Sequence, residues 1–337
     1  MSAPAHSARS ASTLAPPETS TTLDAASTPL VTAGDVVAIV VNYRTPALTA
    51  GAIEHLLASD LPGRRLQVVI VDNNSGDGSV ATLAERFPDL GLIVSRQNLG
   101  FAGGNNLAIE SALRDLPSCV DRNDTFVLLI NSDVEVEPDS IATCLAFMEA
   151  HPDTGIVGPK VVLPDGRLDL ACRRGFPTPW RAFWKLTGLA RRFPNNPRFT
   201  GYNMTHLDED QLTEVDAVMG AFMLVRLAAI DAVGLLDERF FMYGEDIDWS
   251  FRIKRYGWRV YYVPGARVKH LKGATTRRQS YRMIIEFYRA MWLFHRKHYA
   301  DRTFFLLNWL VAAGIVLRGG LAIAANALRP ADAKRVS

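Results

Sequence analysis

Four apolar runs, Val36–Val41, Leu66–Val71, Leu92–Ser95 and Phe126–Ile130, are separated by helix-patterned stretches, and each leads into a polar loop. Residues that are apolar at consecutive positions, not alternate ones, suit strands covered on both faces. Strands alternating with helices make a doubly wound, largely parallel sheet. This pattern restricts the chain to an α/β fold and fixes where a ligand binds, beyond the carboxyl ends of the strands. Asn42, Asp72 and Asn131-Ser132-Asp133 fall there. Helices are expected over Ala47–Ala58 and Val80–Phe87, and from the Asn98–Asn106 segment to Leu113. Pro138 is expected to open the next one, in a favoured early position.

With 337 residues, 48% of them hydrophobic, the chain can bury one large core and carry an appendage. The net charge of +2 is unevenly spread: between Arg252 and Arg302 only Glu286 and Asp301 oppose the Arg and Lys residues. A local basic face suits a phosphate-bearing partner or an anionic membrane better than duplex nucleic acid, and a solvated helix face is the competing reading. Cys119, Cys144 and Cys172 match neither a zinc nor a disulfide spacing, which fits a reducing compartment. Residues 1–33 are Ala, Ser, Thr and Pro without the apolar stretch of a secretory signal, and read as a disordered tail. The expected divisions are this tail, a catalytic domain over 34–276 and a helical region over 277–337. Residues 166–211, rich in Pro, Arg and aromatics, are expected to form a long excursion covering the site.

The densest chemistry lies in Phe241-Met242-Tyr243-Gly244-Glu245-Asp246-Ile247-Asp248-Trp249. Apolar walls strengthen the field of a carboxylate and tune its proton affinity, so acids set among aromatics suit an active site. Asp133 at a strand end suits a divalent ion that also grips a diphosphate, or else caps a turn. Asp72 could accept hydrogen bonds from a nucleobase or ribose, or could serve only its own loop. The glycines around Gly100 form neither a Walker loop nor a dinucleotide fingerprint. His270 ends a second strand-like run and is a candidate ligand in combination with Asp133.

Taken in order, Val40-Val41-Asn42-Tyr43, Val71-Asp72-Asn73-Asn74-Ser75, Asn98-Leu99-Gly100-Phe101-Ala102, Asn131-Ser132-Asp133, the Phe240–Asp248 segment and His270 resemble glycosyltransferase family 2 over roughly residues 36–276. Within that family the chain looks most like bacterial rhamnosyltransferases that build cell-wall or surface glycans. The resemblance implies a GT-A fold and an inverting enzyme that uses nucleotide-diphosphate sugars, with dTDP-rhamnose favoured. It implies a nucleotide-sugar site of Asn42, Tyr43, Asp72, Asn74, Asn98, Gly100, Asn131, Ser132 and Asp133, in which Asp72 contacts the base. It implies a Mg2+ or Mn2+ ion on Asp133 and His270, and Asp246 as catalytic base. Asp248 is the competing base, and Glu245 orients the acceptor. Asn131 stands where many members carry the first Asp of the metal motif, which removes one charge from that site. The rival readings are a sugar-nucleotide nucleotidyltransferase, which should carry a Gly-rich loop where Asn42-Tyr43-Arg44-Thr45-Pro46 stands, and a non-catalytic sugar-nucleotide-binding scaffold.

Phe304–Leu317 is apolar almost all round. Arg302 and Arg318 bound about 15 residues, fewer than the roughly 17–25 that span a bilayer, and Gly319-Gly320 is expected to break the helix. Helices lying in the interface of an anionic membrane are therefore expected, with packing on the catalytic domain or in a homodimer as the rival. The implied location is the cytoplasmic face of the plasma membrane. The implied partners are a sugar donor and a lipid-linked or glycan acceptor, not nucleic acid.

Overall fold

The computed structural model describes residues 20–22, 35–114, 116–118, 120–271 and 280–329. The chain order opens with β1 (Ser20–Thr22), β2 (Val36–Asn42), α1 (Pro46–Leu57), β3 (Leu66–Asp72), α2 (Ser79–Arg86), β4 (Gly91–Ser95), α3 (Gly100–Leu113) and β5 (Phe126–Asn131). Strands β4, β3, β2 and β5 lie side by side and parallel, with Asn42 opposite Asp72 and Val41 opposite Asn131. Their polar ends therefore share one edge. Val36–Val40 and Val127–Leu129 are fully buried, as consecutive apolar residues require when helices cover both faces.

The second half alternates less regularly. It comprises β6 (Val134–Val136), α4 (Ser140–Ala150), β7 (Thr154–Val162), β8 (Arg173–Arg174), α5 (Pro179–Leu186), α6 (Leu189–Arg192) and α7 (Pro197–Thr200). Then follow β9 (Thr213–Glu214), β10 (Ala217–Val218), β11 (Phe222–Arg226), α8 (Leu227–Val233), α9 (Glu245–Arg255) and β12 (Arg259–His270). Strand β11 enters antiparallel between β5 and β7, and β12 runs parallel to β7 and antiparallel to β6. The result is one mixed ten-stranded sheet flanked by helices, with β1 on its edge against β4. Beyond Ser20–Thr22, the expected tail lies outside the described residues, as do Cys119 and the 272–279 link. Cys144 and Cys172 are free and buried, which agrees with the absence of a disulfide framework among the described residues.

Four expectations need correction. Helix α4 starts at Ser140 after Asp139, so Pro138 precedes the helix instead of opening it. Among the described residues, most cations of the stretch from Arg252 are paired with acids, several of them distant in sequence. Arg252 pairs with Asp248, Lys254 with Glu214 and Asp216, Arg259 with Glu214, and Lys297 with Asp237 and Asp248. Helix α10 (Ser280–His298) is anchored in the catalytic domain, because Ala290 and Phe294 pack with Phe240 and Ile247. Helix α11 (Phe305–Ala327) runs unbroken through Gly319-Gly320. Gly319 faces the Tyr288 ring, so it serves a close helix contact, and a helical glycine costs only about 1 kcal/mol. At 23 residues α11 is about 34 Å long, enough to cross a hydrocarbon core of about 30 Å. Its buried residues, Ile315, Gly319 and Asn326, form one stripe, whereas Trp309, Val316 and Leu328 are 73%, 74% and 89% exposed.

Candidate active site

The loop after β3 is built by its own polar groups. Asn42 Nδ2 donates to Asp72 Oδ1 (2.7 Å) and to Ser75 Oγ (3.0 Å), and the Ser75 N–H donates to Asp72 Oδ2 (3.0 Å). Thr49 Oγ1 donates to Asn42 Oδ1 (2.7 Å). Asn42 and Asp72 are thus buried organisers of the loop, while Tyr43 is half-buried and Asn74 exposed, the latter in the left-handed region at φ +61°. Asn73, buried beside them, donates to Asn98 Oδ1 and to the Gly100 carbonyl and accepts from the Leu99 N–H. This joins the loops after β3 and β4.

Gly100 has φ +73°, and a Cβ there would collide with the Phe241 carbonyl. The close approach lets the Phe101 N–H donate to that carbonyl (2.8 Å), which ties the Asn98 loop to the acidic segment. Tyr243 (φ +72°) and Gly244 (φ +83°) turn the chain into α9, whose first turn carries Glu245, Asp246 and Asp248. A non-glycine residue in that region is strained, as is common at functional sites.

The three acids have different surroundings. Asp246 accepts from Arg174 Nη2 (2.6 Å), the Gly220 N–H (3.1 Å) and the Ile247 N–H (2.7 Å). Burial would lower the pKa of Arg174, but Asp246 outweighs it and the guanidinium is held charged. Glu245 is pushed up to about 8, first by burial and then by the neighbouring Asp246, and its Oε2 has no hydrogen-bond partner among the described residues. Asp248 is fully buried and meets Arg252 (2.9 Å), Lys297 (2.7 Å) and His298 (2.7 Å). Burial raises its pKa, but those three partners prevail and lower it. Such a group anchors α9 to α10 and is poorly suited to accept a proton, which argues against Asp248 as the competing base.

At the other end, the antiparallel pairing of β6 with β12 brings Asp133 and His270 together, with Nε2 3.2 Å from Asp133 Oδ1. Behind the ring, Nδ1 lies 3.5 Å from Asp169 Oδ2. Burial would lower the His270 pKa, but the two carboxylates outweigh it and hold it up to about 9. A histidine with one nitrogen beside a carboxylate and the other backed by a second carboxylate is a common metal-ligand arrangement. The donor set fits a hard divalent ion that completes its shell with phosphate oxygens and water. Among the described residues no cluster of three or more His, Cys, Asp or Glu could hold a metal by itself.

The two ends meet at one turn. The Asn131 N–H donates to the Ala221 carbonyl (3.0 Å), next to Gly220, which binds Asp246. Ser132 Oγ lies 3.4 Å from Thr45 Oγ1, which reaches back to the first loop. Sequence reasoning missed Asp169 and Arg174. Both lie in a stretch without strand or helix periodicity, where Asp169 reads as turn chemistry and Arg174 as one more surface cation.

The profile for "Glycosyltransferase like family 2" matches residues 33–286. The chain belongs to glycosyltransferase family 2. This glycosyltransferase is 29% identical over 268 residues to the N-acetylglucosaminyl-diphospho-decaprenol L-rhamnosyltransferase of Mycobacterium tuberculosis, covering 79% of this chain and 86% of the relative. It is 25% identical to the rhamnosyltransferase WbbL of Escherichia coli, over 60% of this chain and 72% of that one. Its fold resembles that of the mannosyltransferase PcManGT of Pyrobaculum calidifontis, solved with GDP-Man and Mn2+ (TM-score 0.50, 19% identity, 92% of this chain and 80% of that one). It also resembles residues 1–349 of TarS from S. aureus (TM-score 0.50, 16% identity, 87% and 73%). The GT-A fold expected from the sequence is therefore present.

Proposed function

We propose that the enzyme transfers L-rhamnose from dTDP-rhamnose, with inversion, to a hydroxyl of a polyprenyl-diphosphate-linked sugar in cell-wall or surface-glycan synthesis. The observation that supports the reading is the turn at Gly220–Ala221, whose backbone binds both Asp246 and Asn131, the first residue of the Asn131-Ser132-Asp133 segment that ends at the His270 contact. The Mycobacterium relative's name supplies the rhamnosyl group and the lipid-linked acceptor.

In this reading Asn42, Asp72 and Ser75 hold the loop that receives the base and ribose, with Tyr43, Asn74, Asn98 and Gly100 around it. Asn131, Ser132 and Asp133 face the diphosphate. Asp133 and His270 would hold Mg2+ or Mn2+, with Asp169 orienting the imidazole. The ion would supply positive charge against the departing diphosphate. Asp246 takes the proton of the attacking hydroxyl, a role typically contributing roughly 10²–10⁴-fold. Arg174 and the Gly220 N–H fix its direction. Glu245, with a free oxygen, orients the acceptor. Helix α11 anchors the enzyme at the inner face of the plasma membrane, where a lipid-linked acceptor resides. Its midpoint Arg318, at roughly 2.5–3.5 kcal/mol if placed centrally, favours a tilted or interfacial position.

Turnover of the full-length protein with a panel of nucleotide sugars and a polyprenyl-diphosphate N-acetylglucosamine tests the reading. Transfer of rhamnose from dTDP-rhamnose is expected, stopped by chelator and restored by Mg2+ or Mn2+. Full activity in excess chelator, with metal content checked, would remove the ion from the reading. Transfer only from another donor would remove rhamnose.

A further inference from the structure

The excursion between β8 and Tyr202 leaves and rejoins the domain through a narrow neck. There the Gly175 N–H donates to the Tyr202 carbonyl (2.8 Å), and Arg181 threads between Gly175 and Gly201 to reach Asp216 (2.8 Å). Beyond the neck, α5, α6 and α7 carry a contiguous set of rings. Trp180 stacks on Trp184, Phe183 meets Trp184 edge-on at 4.9 Å, Trp184 meets Phe199 at 5.1 Å, and Phe199 lies 5.5 Å from Phe193. None of these rings belongs to either hydrophobic core. Trp180 is 67% exposed, Phe183 46% and Phe193 43%. A contiguous aromatic patch left in water marks a surface that something else covers.

Charge identifies what covers it. From Cys172 to Leu207 the sequence has no Asp or Glu, and its charged residues are Arg and Lys. Arg174 and Arg181 are committed to Asp246 and Asp216. Arg191, Arg192 and Arg198 are exposed and have no acidic partner among the described residues. This differs from the stretch from Arg252, most of whose described cations are paired. The patch thus offers indole and phenyl rings together with exposed guanidinium groups that have no acidic partner among the described residues, the composition of an element that lies in the headgroup region of an anionic bilayer.

Position agrees with charge. At the root of the excursion, Phe176 packs on Phe251 (4.8 Å), which packs on Phe294 of α10. Tyr299, in the turn leading to α11, lies edge-on to the same Phe251 ring at 6.1 Å. The root of the aromatic excursion and the hairpin's helix α10 therefore meet at one ring, Phe251. We infer that α5–α7 are a second membrane contact, which docks on anionic lipid headgroups and, together with α11, holds the mouth of the site against the bilayer. The inference rests on the membrane placement of this enzyme proposed above.

The test uses the full chain with vesicles of phosphatidylcholine, with or without phosphatidylglycerol, that contain brominated lipid. The difference in emission between the wild type and Trp180→Phe isolates Trp180 from the other indoles. Both this position and the three arginines are exposed, and circular dichroism checks that the variants fold. Trp180 is expected to be quenched on anionic vesicles. Arg191→Gln with Arg192→Gln and Arg198→Gln should reduce that quenching on the order of tenfold or more, each cation contributing severalfold. Protein that floats with vesicles while Trp180 stays unquenched overturns the second contact and leaves the α11 anchor intact. Protein that does not float at all removes the membrane placement itself. Self-association without vesicles that Trp180→Ser abolishes also overturns the inference, assigning the patch to a second copy of the chain.

Discussion

The parallel half of the sheet and the mixed half carry their polar groups differently. In the first, buried Asn42, Asp72 and Ser75 satisfy one another and Asn73 bonds to the neighbouring Asn98 loop, so the one carboxylate of the cluster, Asp72, is held by neutral donors. In the second, full charges are buried and balanced mostly across long sequence separations: Arg174 with Asp246, His270 between Asp133 and Asp169, and Asp248 with Arg252 and Lys297. It also holds Glu245 with an unpaired oxygen and Tyr243 in a strained backbone conformation. A cradle can be rigid and neutral. A proton acceptor and a diphosphate clamp need charge, and charge is costly to keep in an apolar interior. The mixed half is where the molecule sets stability against chemistry.

Asp246→Asn should break the comparison most strongly on the side of chemistry. Turnover is expected to fall roughly 10²–10⁴-fold. Donor-induced stabilisation, read as a melting-temperature shift, should persist because shape is retained. Near-normal turnover would move the base role to Glu245. Arg174→Met addresses the electrostatic side. It leaves the Asp246 carboxylate buried without its cation, and urea titration should show a loss of about 3–5 kcal/mol. A loss below about 1 kcal/mol would mean that Asp246 relaxes to water.

Asn42→Ala sharpens the contrast from the parallel half. It strips one donor from Asp72 and one acceptor from Thr49, with an expected cost of about 1–3 kcal/mol. Donor KM should rise while kcat at saturating donor changes little, and a kcat loss comparable to that of Asp246→Asn would erase the distinction between the halves. An effect confined to the pH dependence of stability concerns Glu245, whose pKa is pushed up to about 8 in the folded protein against an ordinary 4.5. Folding favours its protonated form, so its contribution is complete below about 4.5 and is lost as pH rises through about 8. Glu245→Gln should flatten the decline of melting temperature across that window, and an unchanged slope would show that other groups govern it.

The parallel half was legible because its strands are buried on both faces and its loops close locally. Consecutive apolar residues, such as Val36–Val41, state their own environment. Asp133 and His270 could be paired from their places at two strand ends and from the family resemblance, but not their contact itself, which depends on the register of β12 against β6, set 137 residues apart. Nothing local marks Arg174 or Asp169 as site residues, since each draws its meaning from a partner brought by the fold. The C-terminal helix was misread for a related reason. Gly319-Gly320 is a breaker only when no neighbour uses the space, and Tyr288 uses it.

The hydrogen bond from the Phe101 N–H to the Phe241 carbonyl has a consequence for recombination. It fastens the Asn98 loop to the acidic segment through backbone atoms alone, at a spacing that only glycine at position 100 permits. Side-chain exchange elsewhere cannot compensate for a mismatch there. Hybrids with relatives that take the donor half from one parent and the acceptor half from another inherit a working junction only if both loops keep their backbone path. The useful crossover points thus lie outside residues 98–244, so that both loops travel as one block when acceptor or donor preference is exchanged.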